Sequence, residues 1–598
     1  MLSWLFPKKR AAAHFHQGTL LAQSGKFAAA IARLRRAVEL EPDLAEAHFN
    51  LGSAYRDLGQ LEPALASYRR AAALHPGWAD ALLGIGAILR EQGRLEEAID
   101  SLSRALATKP DSVEAHQELG NAHTALGNWR EALGHFGSAL RLQPDHAEAH
   151  WAAAMAQIPA IYGTGADPAE HRRAFSAELE ALERWCRSGE RREAFRAVAV
   201  HQPFYLAYQE SSNRELLARY GSLCAGLMRG WQDRAGLAVA PAAAGRGQMR
   251  VGIVSAHIHD HSVWKALVHG WMEGFDQDRF DLHLFHLGTR RDAETHYAQS
   301  RAAGFHEGRR AFDEWARLIH SSRLDVLIYP EIGMDPTTAK LAAMRLAPVQ
   351  AASWGHPETT GLPTIDYFLS AEDLEPPDAQ AHYTEKLVLL PHLGCSVSRA
   401  PEHLDPHEFT GLEGAGPILL CPGTPFKYAP QFDRVLVEIA RRVDKCRLVF
   451  FTGNPEALSI KLQHRLTQAG LDFERHAVIL PWLPRAQFRA LLTRADLYLD
   501  TIGFSGFNTA MQAVECGLPI VTREGRFLRG RLASGILKRI GLAELVTPSE
   551  EAYIELAAAL AGDRERRRSL RSRIEANRSR LFDDPAPVGA MQDFLQRL

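Results

Sequence analysis

Residues 496–522 read DLYLDTIGFSGFNTAMQAVECGLPIVT, and the pattern of this stretch decides the fold class. The apolar run Leu497-Tyr498-Leu499 predicts a strand that ends at Asp500. A turn punctuated by Gly503, Ser505 and Gly506 follows, then a helical pattern from about Asn508 to Cys516. Gly517-Leu518-Pro519 leads into a second apolar run at Ile520-Val521. A strand, a small-residue turn and a helix aim free N–H groups and the positive end of the helix dipole at an anion. Asn508 and Thr509 are placed to cap and donate there. The expectation is a diphosphate cradle in an α/β domain. It is not a Walker A loop, because no lysine follows the glycines, and the dinucleotide fingerprint G-x-G-x-x-G is missing.

The same alternation extends backwards. Ile418–Cys421, Arg447–Phe451 and Ala477–Leu480 are strand-like, with helical patterns at 431–443 and 456–469 between them. An earlier series has strands at Met249–Ser255, Phe280–Phe285, Leu324–Tyr329 and Leu387–Leu390. Two β/α series of roughly 150 residues predict two doubly wound lobes facing one cleft. Their joint falls near 401–416, a stretch rich in Pro, Gly, Glu and His.

The first quarter repeats itself. Gly18, Gly52, Gly86 and Gly120 are spaced by 34 residues, as are Ala30, Ala64, Ala98 and Ala132, and Pro42, Pro76, Pro110 and Pro144. Small residues in that register let paired helices approach, and the proline stops each second helix. This is the tetratricopeptide pattern, whose concave face suits an extended protein segment. A fifth unit starts at Ala147 and breaks at Pro159. Residues 160–236 read as irregular helices with no chemistry attached, and 238–247 as a small-residue linker.

Charged residues make up 23% and hydrophobic ones 46% of 598 residues, a soluble globular balance, and the net charge of −2 favours neither nucleic acid nor an anionic membrane. The apolar run before Pro7 is too short for a signal-peptide core, and no stretch reaches the length of a spanning helix. Six scattered cysteines without a C-x-x-C pair fit reduced thiols. The expected location is cytoplasmic.

Four loops beyond strand ends supply candidate chemistry. His257-Ile-His-Asp-His261 offers an imidazole for acid/base work or hydrogen bonding; a metal site is disfavoured because no cysteine or carboxylate stands at ligand spacing. Trp354-Gly-His-Pro-Glu-Thr-Thr-Gly361 offers the hydroxyls and backbone of Thr359 and Thr360 to a sugar or phosphate. Pro422-Gly-Thr-Pro-Phe-Lys427 offers a lysine to a diphosphate leaving group. Pro481-Trp-Leu-Pro-Arg-Ala-Gln-Phe488 offers aromatic rings to a base. The basic run Arg523, Arg526, Arg529, Arg531, Lys538 and Arg539 reads as a mostly solvated helix face. Asp276-Gln277-Asp278 resembles a metal-binding D-x-D but lies in a turn entering a strand, and is read as structural.

These motifs, taken together, resemble the family of O-GlcNAc transferase and SPINDLY protein glycosyltransferases. The resemblance rests on the repeats at 11–146 and on VGIVS…DH at 251–261, RLAPVQ…WGHPETTG at 345–361, IDYFLSAE at 365–372, the Lys427 loop and ADLYLDT at 495–501. It implies a GT-B fold, two Rossmann-like lobes behind an all-α tetratricopeptide solenoid, acting without metal or other cofactor and inverting the anomeric centre. The implied donor is a nucleotide sugar, UDP-GlcNAc above others, and the implied acceptor Ser or Thr of a protein held by the repeats.

By the resemblance, His261 is the active-site histidine that orients or deprotonates the acceptor, and Lys427 binds the diphosphate. Thr424, Leu483, Arg485, Phe488, Gly506, Phe507, Asn508, Thr509 and Gln512 contact the donor, and His356, Pro357, Thr359, Thr360 and Gly361 form an acceptor or sugar loop. Gln512 stands where members commonly carry an acid, and only Asn50 keeps the groove asparagine, with His16, Gly84 and Glu118 at the equivalent positions. Another sugar (fucose, glucose or a nonulosonic acid) on a surface protein such as flagellin keeps the same fold; a non-catalytic repeat scaffold is the reading of another class. The expected division is a leader at 1–10, four repeats at 11–146, a helical extension at 147–236, a linker at 237–248, an acceptor-side lobe at 249–400, a donor lobe at 401–580 and a C-terminal helix at 581–598.

Overall fold

A computed structural model describes residues 5–188, 193–238, 247–399, 409–412 and 416–598. The start of the leader, most of the linker and most of the joint between the lobes lie outside the described residues. The chain divides into two compact units, Met1–Ala160 and Ile161–Leu598.

The first unit is four helix pairs: Leu5–Gln23 with Phe27–Leu40, Ala45–Asp57 with Leu61–Leu74, Ala79–Glu91 with Leu95–Thr108, and Val113–Ala125 with Trp129–Leu142. A further helix, Ala147–Met155, packs on the last pair. The repeated glycine is explained by its partner. A Cβ at Gly52 would meet the Tyr68 ring at 2.8–3.0 Å, and the same ring lies 2.8–3.0 Å from a Cβ at Gly84. Tyr68 therefore fills the space between two inner helices, with its hydroxyl 2.9 Å from Ser53 Oγ. The ladder of groove asparagines is interrupted at Gly84 for this reason. Asn50 donates to Thr19 Oγ1 at 2.9 Å, and Glu118 pairs with Arg90 at 2.5 Å.

The second unit opens with the helices Pro168–Arg187 and Arg214–Arg234, joined through the short turns Ala194–Ala197 and Phe204–Tyr208. Its first sheet has strands β1 (Met249–Ser255), β2 (Phe280–His286), β3 (Gly304–His306), β4 (Val326–Tyr329), β5 (Val349–Ser353), β6 (Tyr367–Ala371) and β7 (Lys386–Leu390). The second has β8 (Ile418–Leu420), β9 (Arg447–Phe451), β10 (Ala477–Leu480), β11 (Leu497–Leu499), β12 (Ile520–Arg523) and β13 (Val546–Thr547).

The strand orders are β3-β2-β1-β4-β5-β6-β7 and β10-β9-β8-β11-β12-β13, and the pairings are parallel. Parallel strands covered on both faces need apolar runs, which is why β1, β4, β8 and β11 read as such. In each sheet the order reverses at one place, between β1 and β4 and between β8 and β11. There the connections leave on opposite faces and a crevice opens beyond the strand ends, the usual ligand position of such sheets.

The C-terminal helix Ala586–Gln596 crosses back to the first lobe, where Phe594 packs on Tyr367 and Gln592 accepts from Asp276 N at 2.9 Å. Asp276 in turn accepts from Asp278 N at 2.9 Å, so this D-x-D shapes the turn into β2.

The helix Arg214–Arg234 is seated on the first lobe backbone to backbone. A Cβ at Gly221 would fall on the carbonyl oxygen of Gly361, and Gly361 itself holds φ +70. Gly226, on an exposed face of the same helix, has open space around it. Gly221→Ala should therefore destabilise the fold by roughly 1–3 kcal/mol, the scale of overpacking. Gly226→Ala should be neutral or stabilising by up to about 1 kcal/mol. Thermal unfolding of the two variants side by side checks this, and equal melting temperatures would contradict the packing described.

Candidate active site

The loops that hold His261 and Lys427 leave their strands at the two reversal points. In the second lobe, the loop after β8 holds Lys427 and the loop after β11 holds the glycine turn. Asp500 leaves β11 buried, 3% exposed, and its carboxylate accepts from Ser505 Oγ at 2.7 Å, Gly506 N at 3.0 Å and Thr522 Oγ1 at 2.7 Å. These bonds wrap the chain back on itself and set the start of the helix Asn508–Glu515. Phe507 occupies the N-cap position and no side chain caps the helix. Asn508 and Thr509 are thus its first two residues rather than its caps, a correction to the sequence reading. Their amides lack intrahelical acceptors, while the Thr509 hydroxyl pairs with Tyr498 Oη at 2.8 Å.

Lys427 ends the turn Pro425–Lys427 that follows β8. Its ammonium lies 4.6 Å from the centre of the Phe504 ring, and burial pulls its ionisation down to about 8 against the favourable charge of Asp500. A cavity of about 30 Å³ is lined by Lys427, Tyr428, Phe432, Asp500, Thr501 and Tyr553 among others. The Thr424 hydroxyl, at the start of the same turn, is buried without a hydrogen-bond partner among the described residues. A lysine charge, an unpartnered hydroxyl and a helix N-terminus on facing loops form an arrangement suited to a diphosphate. Gln512 is half-buried on that helix. Leu483, Arg485 and Phe488 lie past β10, where Phe488 packs edge-on to Phe451 at 5.6 Å and the neighbouring Trp482 is 76% exposed.

In the first lobe, the loop after β1 stacks His261 on His257, with ring centres 3.9 Å apart at 13°. His261 Nδ1 accepts the Val263 amide at 3.2 Å, so the neutral ring carries its proton on Nε2. Burial and the neighbouring histidines push its ionisation down to about 3. His261 is therefore a neutral donor at Nε2 rather than a ready proton acceptor. Across the reversal point, Glu331 follows β4 fully buried, accepting from Ser255 Oγ at 2.7 Å, with its other oxygen unpartnered among the described residues. Burial pushes its ionisation up to about 8.

The loop after β5 behaves differently from its sequence reading. Glu385 accepts from Thr359 Oγ1 at 2.6 Å, from Thr360 N at 2.8 Å and from Thr360 Oγ1. These bonds build the loop from within, with both hydroxyls donating to Glu385. Gly361 lies against the helix Arg214–Arg234, Pro357 is buried, and His356 stacks on Phe204 at 5.4 Å. Trp354 reaches the second lobe, edge-on to Phe507 at 4.8 Å.

Sequence reasoning assigned nothing to residues 204–213, yet they run between the lobes. Phe204 touches His356 of the first lobe, and Tyr208 stacks on Phe504 at 4.5 Å and packs on Phe426 at 4.8 Å. Asn213 donates to Glu358 at 2.6 Å, and Glu358 pairs with Arg529 at 3.1 Å, both side chains 4% exposed. Arg529 also donates to the carbonyls of Gln209 at 2.9 Å and Ser211 at 2.6 Å, and Arg523 pairs with Glu210. Arg531 and Lys538 pair with Glu524, and Arg539 with Asp373 and Asp584. The basic run is thus mostly engaged between elements, with Arg526 left exposed, and is no solvated helix face.

Comparison with known proteins follows the same division. Residues 419–586, in the second lobe, match the sequence profile of glycosyl transferase family 41. Tetratricopeptide profiles match 18–57, 52–113 and 89–158. The chain is 26% identical over 338 residues to a probable UDP-N-acetylglucosamine–peptide N-acetylglucosaminyltransferase SPINDLY of Arabidopsis thaliana, covering 52% of this chain and 35% of that protein. It is 30% identical over 294 residues to a UDP-glucose:protein N-β-glucosyltransferase of Actinobacillus pleuropneumoniae, covering 48% and 46%. The chain thus spans less than half the length of these curated relatives. A mutant O-GlcNAc transferase of Thermobaculum terrenum shares the fold with a TM-score of 0.60 at 22% identity, over 99% of this chain and 97% of that one. The architecture is a GT-B pair of lobes preceded by tetratricopeptide repeats.

Glu331 yields a test of the first-lobe site. The folded state holds a proton up to about pH 8 that an ordinary carboxyl, near 4.5, releases earlier. Its contribution is thus present below pH 4.5 and lost as pH rises through 8. Relative to the unaltered protein, Glu331→Gln should raise stability at pH 8.5 by roughly 1 kcal/mol or more and change it little at pH 5. Denaturant unfolding at the two pH values reads the difference; a pH-independent effect would contradict the buried, protonated acid.

Proposed function

We propose that this chain, a family 41 domain behind tetratricopeptide repeats, is an inverting glycosyltransferase that moves a sugar from a nucleotide donor to a protein side chain, with UDP-GlcNAc and Ser or Thr as the leading pair. The observation that carries the proposal is Lys427 set opposite the Asp500-held turn. In the reaction the acceptor hydroxyl oxygen attacks the anomeric carbon, the bond from that carbon to the diphosphate oxygen breaks, and the hydroxyl proton passes to the departing nucleoside diphosphate. Lys427, the Thr424 hydroxyl and the amides of Asn508 and Thr509 meet the charge that develops there. His261, holding its proton at Nε2, orients the acceptor by donating to it. Leu483, Arg485 and Phe488 hold the base, Gln512 meets the ribose, and the repeats recruit the acceptor protein. No step needs a metal.

A glucose donor is the second reading, favoured by the likeness to a glucosyltransferase. A non-catalytic scaffold has no use for a buried lysine beside a hydroxyl that has no hydrogen-bond partner among the described residues. Incubating the full chain with UDP-GlcNAc, UDP-glucose or GDP-fucose, and following release of the nucleoside diphosphate together with mass added to protein, separates these readings. Release from none of them, nor from a CMP-nonulosonic acid, would overturn the enzyme reading.

The chemistry of Lys427 predicts more. Lys427→Ala should lower turnover at saturating donor by roughly 10²-fold or more. Because only the ammonium neutralises the leaving group, kcat/KM for the donor should fall as pH rises through about 8. Lys427→Arg should flatten that limb, since the guanidinium keeps its proton. Steady-state rates between pH 6 and 10 check both; an unchanged limb in the arginine variant would assign the ionisation elsewhere.

A further inference from the structure

The turn Phe204–Tyr208 belongs to the helical extension, not to either lobe, yet it lies beside the lysine. Phe426, the residue before Lys427, packs on Tyr205 at 5.9 Å and on Tyr208 at 4.8 Å. Phe504, beneath the Lys427 ammonium, stacks on Tyr208 at 4.5 Å and 30°. On the other side Phe204 stacks on His356 of the first lobe at 5.4 Å and 22°. The turn therefore bridges the space between the diphosphate loop and the acceptor-side lobe.

The two tyrosines are set apart from the other tyrosines around the lysine by their hydroxyls. Tyr428 donates to Cys421 O at 2.7 Å, Tyr553 to Asp500 O at 3.0 Å, and Tyr498 pairs with Thr509. Among the described residues, Tyr205 and Tyr208 gain no hydrogen bond, and burial alone accounts for most of the upward shift of their ionisation. A tyrosine hydroxyl sealed in the interior normally finds a partner; neither of these two is sealed in, so each hydroxyl reaches open space. Tyr205 is half-buried and keeps part of its surface open. Both hydroxyls stay protonated at any working pH, so each is a fixed donor as well as an acceptor.

We propose that Tyr205, with Tyr208 behind it, contacts the sugar of the donor and sets which sugar is accepted. The proposal rests on the nucleotide-sugar reading above and goes beyond it by naming a specificity element outside the two lobes. The geometry follows from the order of the donor's parts. Its base lies toward the loop after β10 and its diphosphate at Lys427, so the sugar extends the other way, toward the first lobe and past this turn. A pyranose presents an apolar C–H face that packs on an aromatic ring, and hydroxyls at its rim that a phenol can meet. A site that hydrogen-bonds a substrate hydroxyl rejects the analogue that cannot answer it, because its own polar group is then left unpaired.

The experiment compares the full chain with Tyr205→Phe, Tyr205→Ala and Tyr208→Phe. It measures the Kd of UDP alone, kcat/KM for UDP-GlcNAc and UDP-glucose, and the melting temperature. The expected result is a UDP Kd within about 2-fold of the unaltered chain in all variants, since the diphosphate site is untouched. The ratio of the two kcat/KM values should shift by about 3- to 10-fold in Tyr205→Phe, the scale of one hydrogen bond, and further in Tyr205→Ala. Equal losses for UDP and for both sugars would make the turn a support of the fold and overturn the proposal. Unchanged kinetics and ratio in both Tyr205 variants would overturn it as well. An unaltered chain that binds neither UDP nor UDP-sugars would instead sink the nucleotide-sugar reading itself.

Discussion

Asp500 is the group on which the proposed donor site depends. A carboxylate at the end of a central strand is expensive to bury, and here three donors meet it within 3.0 Å. Two of them belong to the turn that leads to the helix Asn508–Glu515, and the third to β12, so one side chain fixes strand, turn and helix start together. The same charge lies close enough to Lys427 to favour its protonated form against the cost of burial. A buried acceptor deprived of one partner costs about 1–3 kcal/mol, so the loop has no cheap alternative conformation. Preorganised in this way, the helix amides and the lysine need no rearrangement when a diphosphate arrives.

A second constraint sits between the lobes. The Glu358–Arg529 pair joins the loop after β5 to the segment after β12, and Asn213 and the carbonyls of Gln209 and Ser211 complete it from the helical extension. A buried ion pair adds little net stability over apolar packing, whereas breaking it by removing one partner is costly. Its effect is on geometry: Arg529 has one place to go, and that place fixes the segment 204–213 against both lobes. The aromatic turn inside this segment is thereby held beside Lys427. The extension forms one compact unit with the two lobes for this reason.

Much of this was legible in the chain, and the parts that were not share one cause. The 34-residue register exposed the repeats, because glycine and a large side chain must alternate wherever two helices touch, as Gly52 and Tyr68 do. Strands β1, β4, β8 and β11 are buried on both faces and read as apolar runs. Strand β3 is three residues at an edge and β5 is rich in alanine and serine, so neither shows such a run. The Thr359 and Thr360 hydroxyls read as ligand donors because residue type does not reveal a partner; Glu385 lies 26 and 25 residues away in the chain. Arg529 read as solvated because Glu358 lies far back in the sequence. Asp500 was visible as the end of a strand, and its role exists only once Ser505, Gly506 and Thr522 are folded around it.

The central claim is that the two loops beyond β8 and β11 form a site for a diphosphate. Titration calorimetry of the unaltered full chain with UDP and with UMP tests it most directly, because the two ligands share the base and ribose and differ by one phosphate. Lys427 and the helix amides give that phosphate charge-assisted contacts worth about 1.5–3 kcal/mol. The account predicts that UDP binds at least about 10-fold more tightly than UMP, and equal affinities for the two would contradict it.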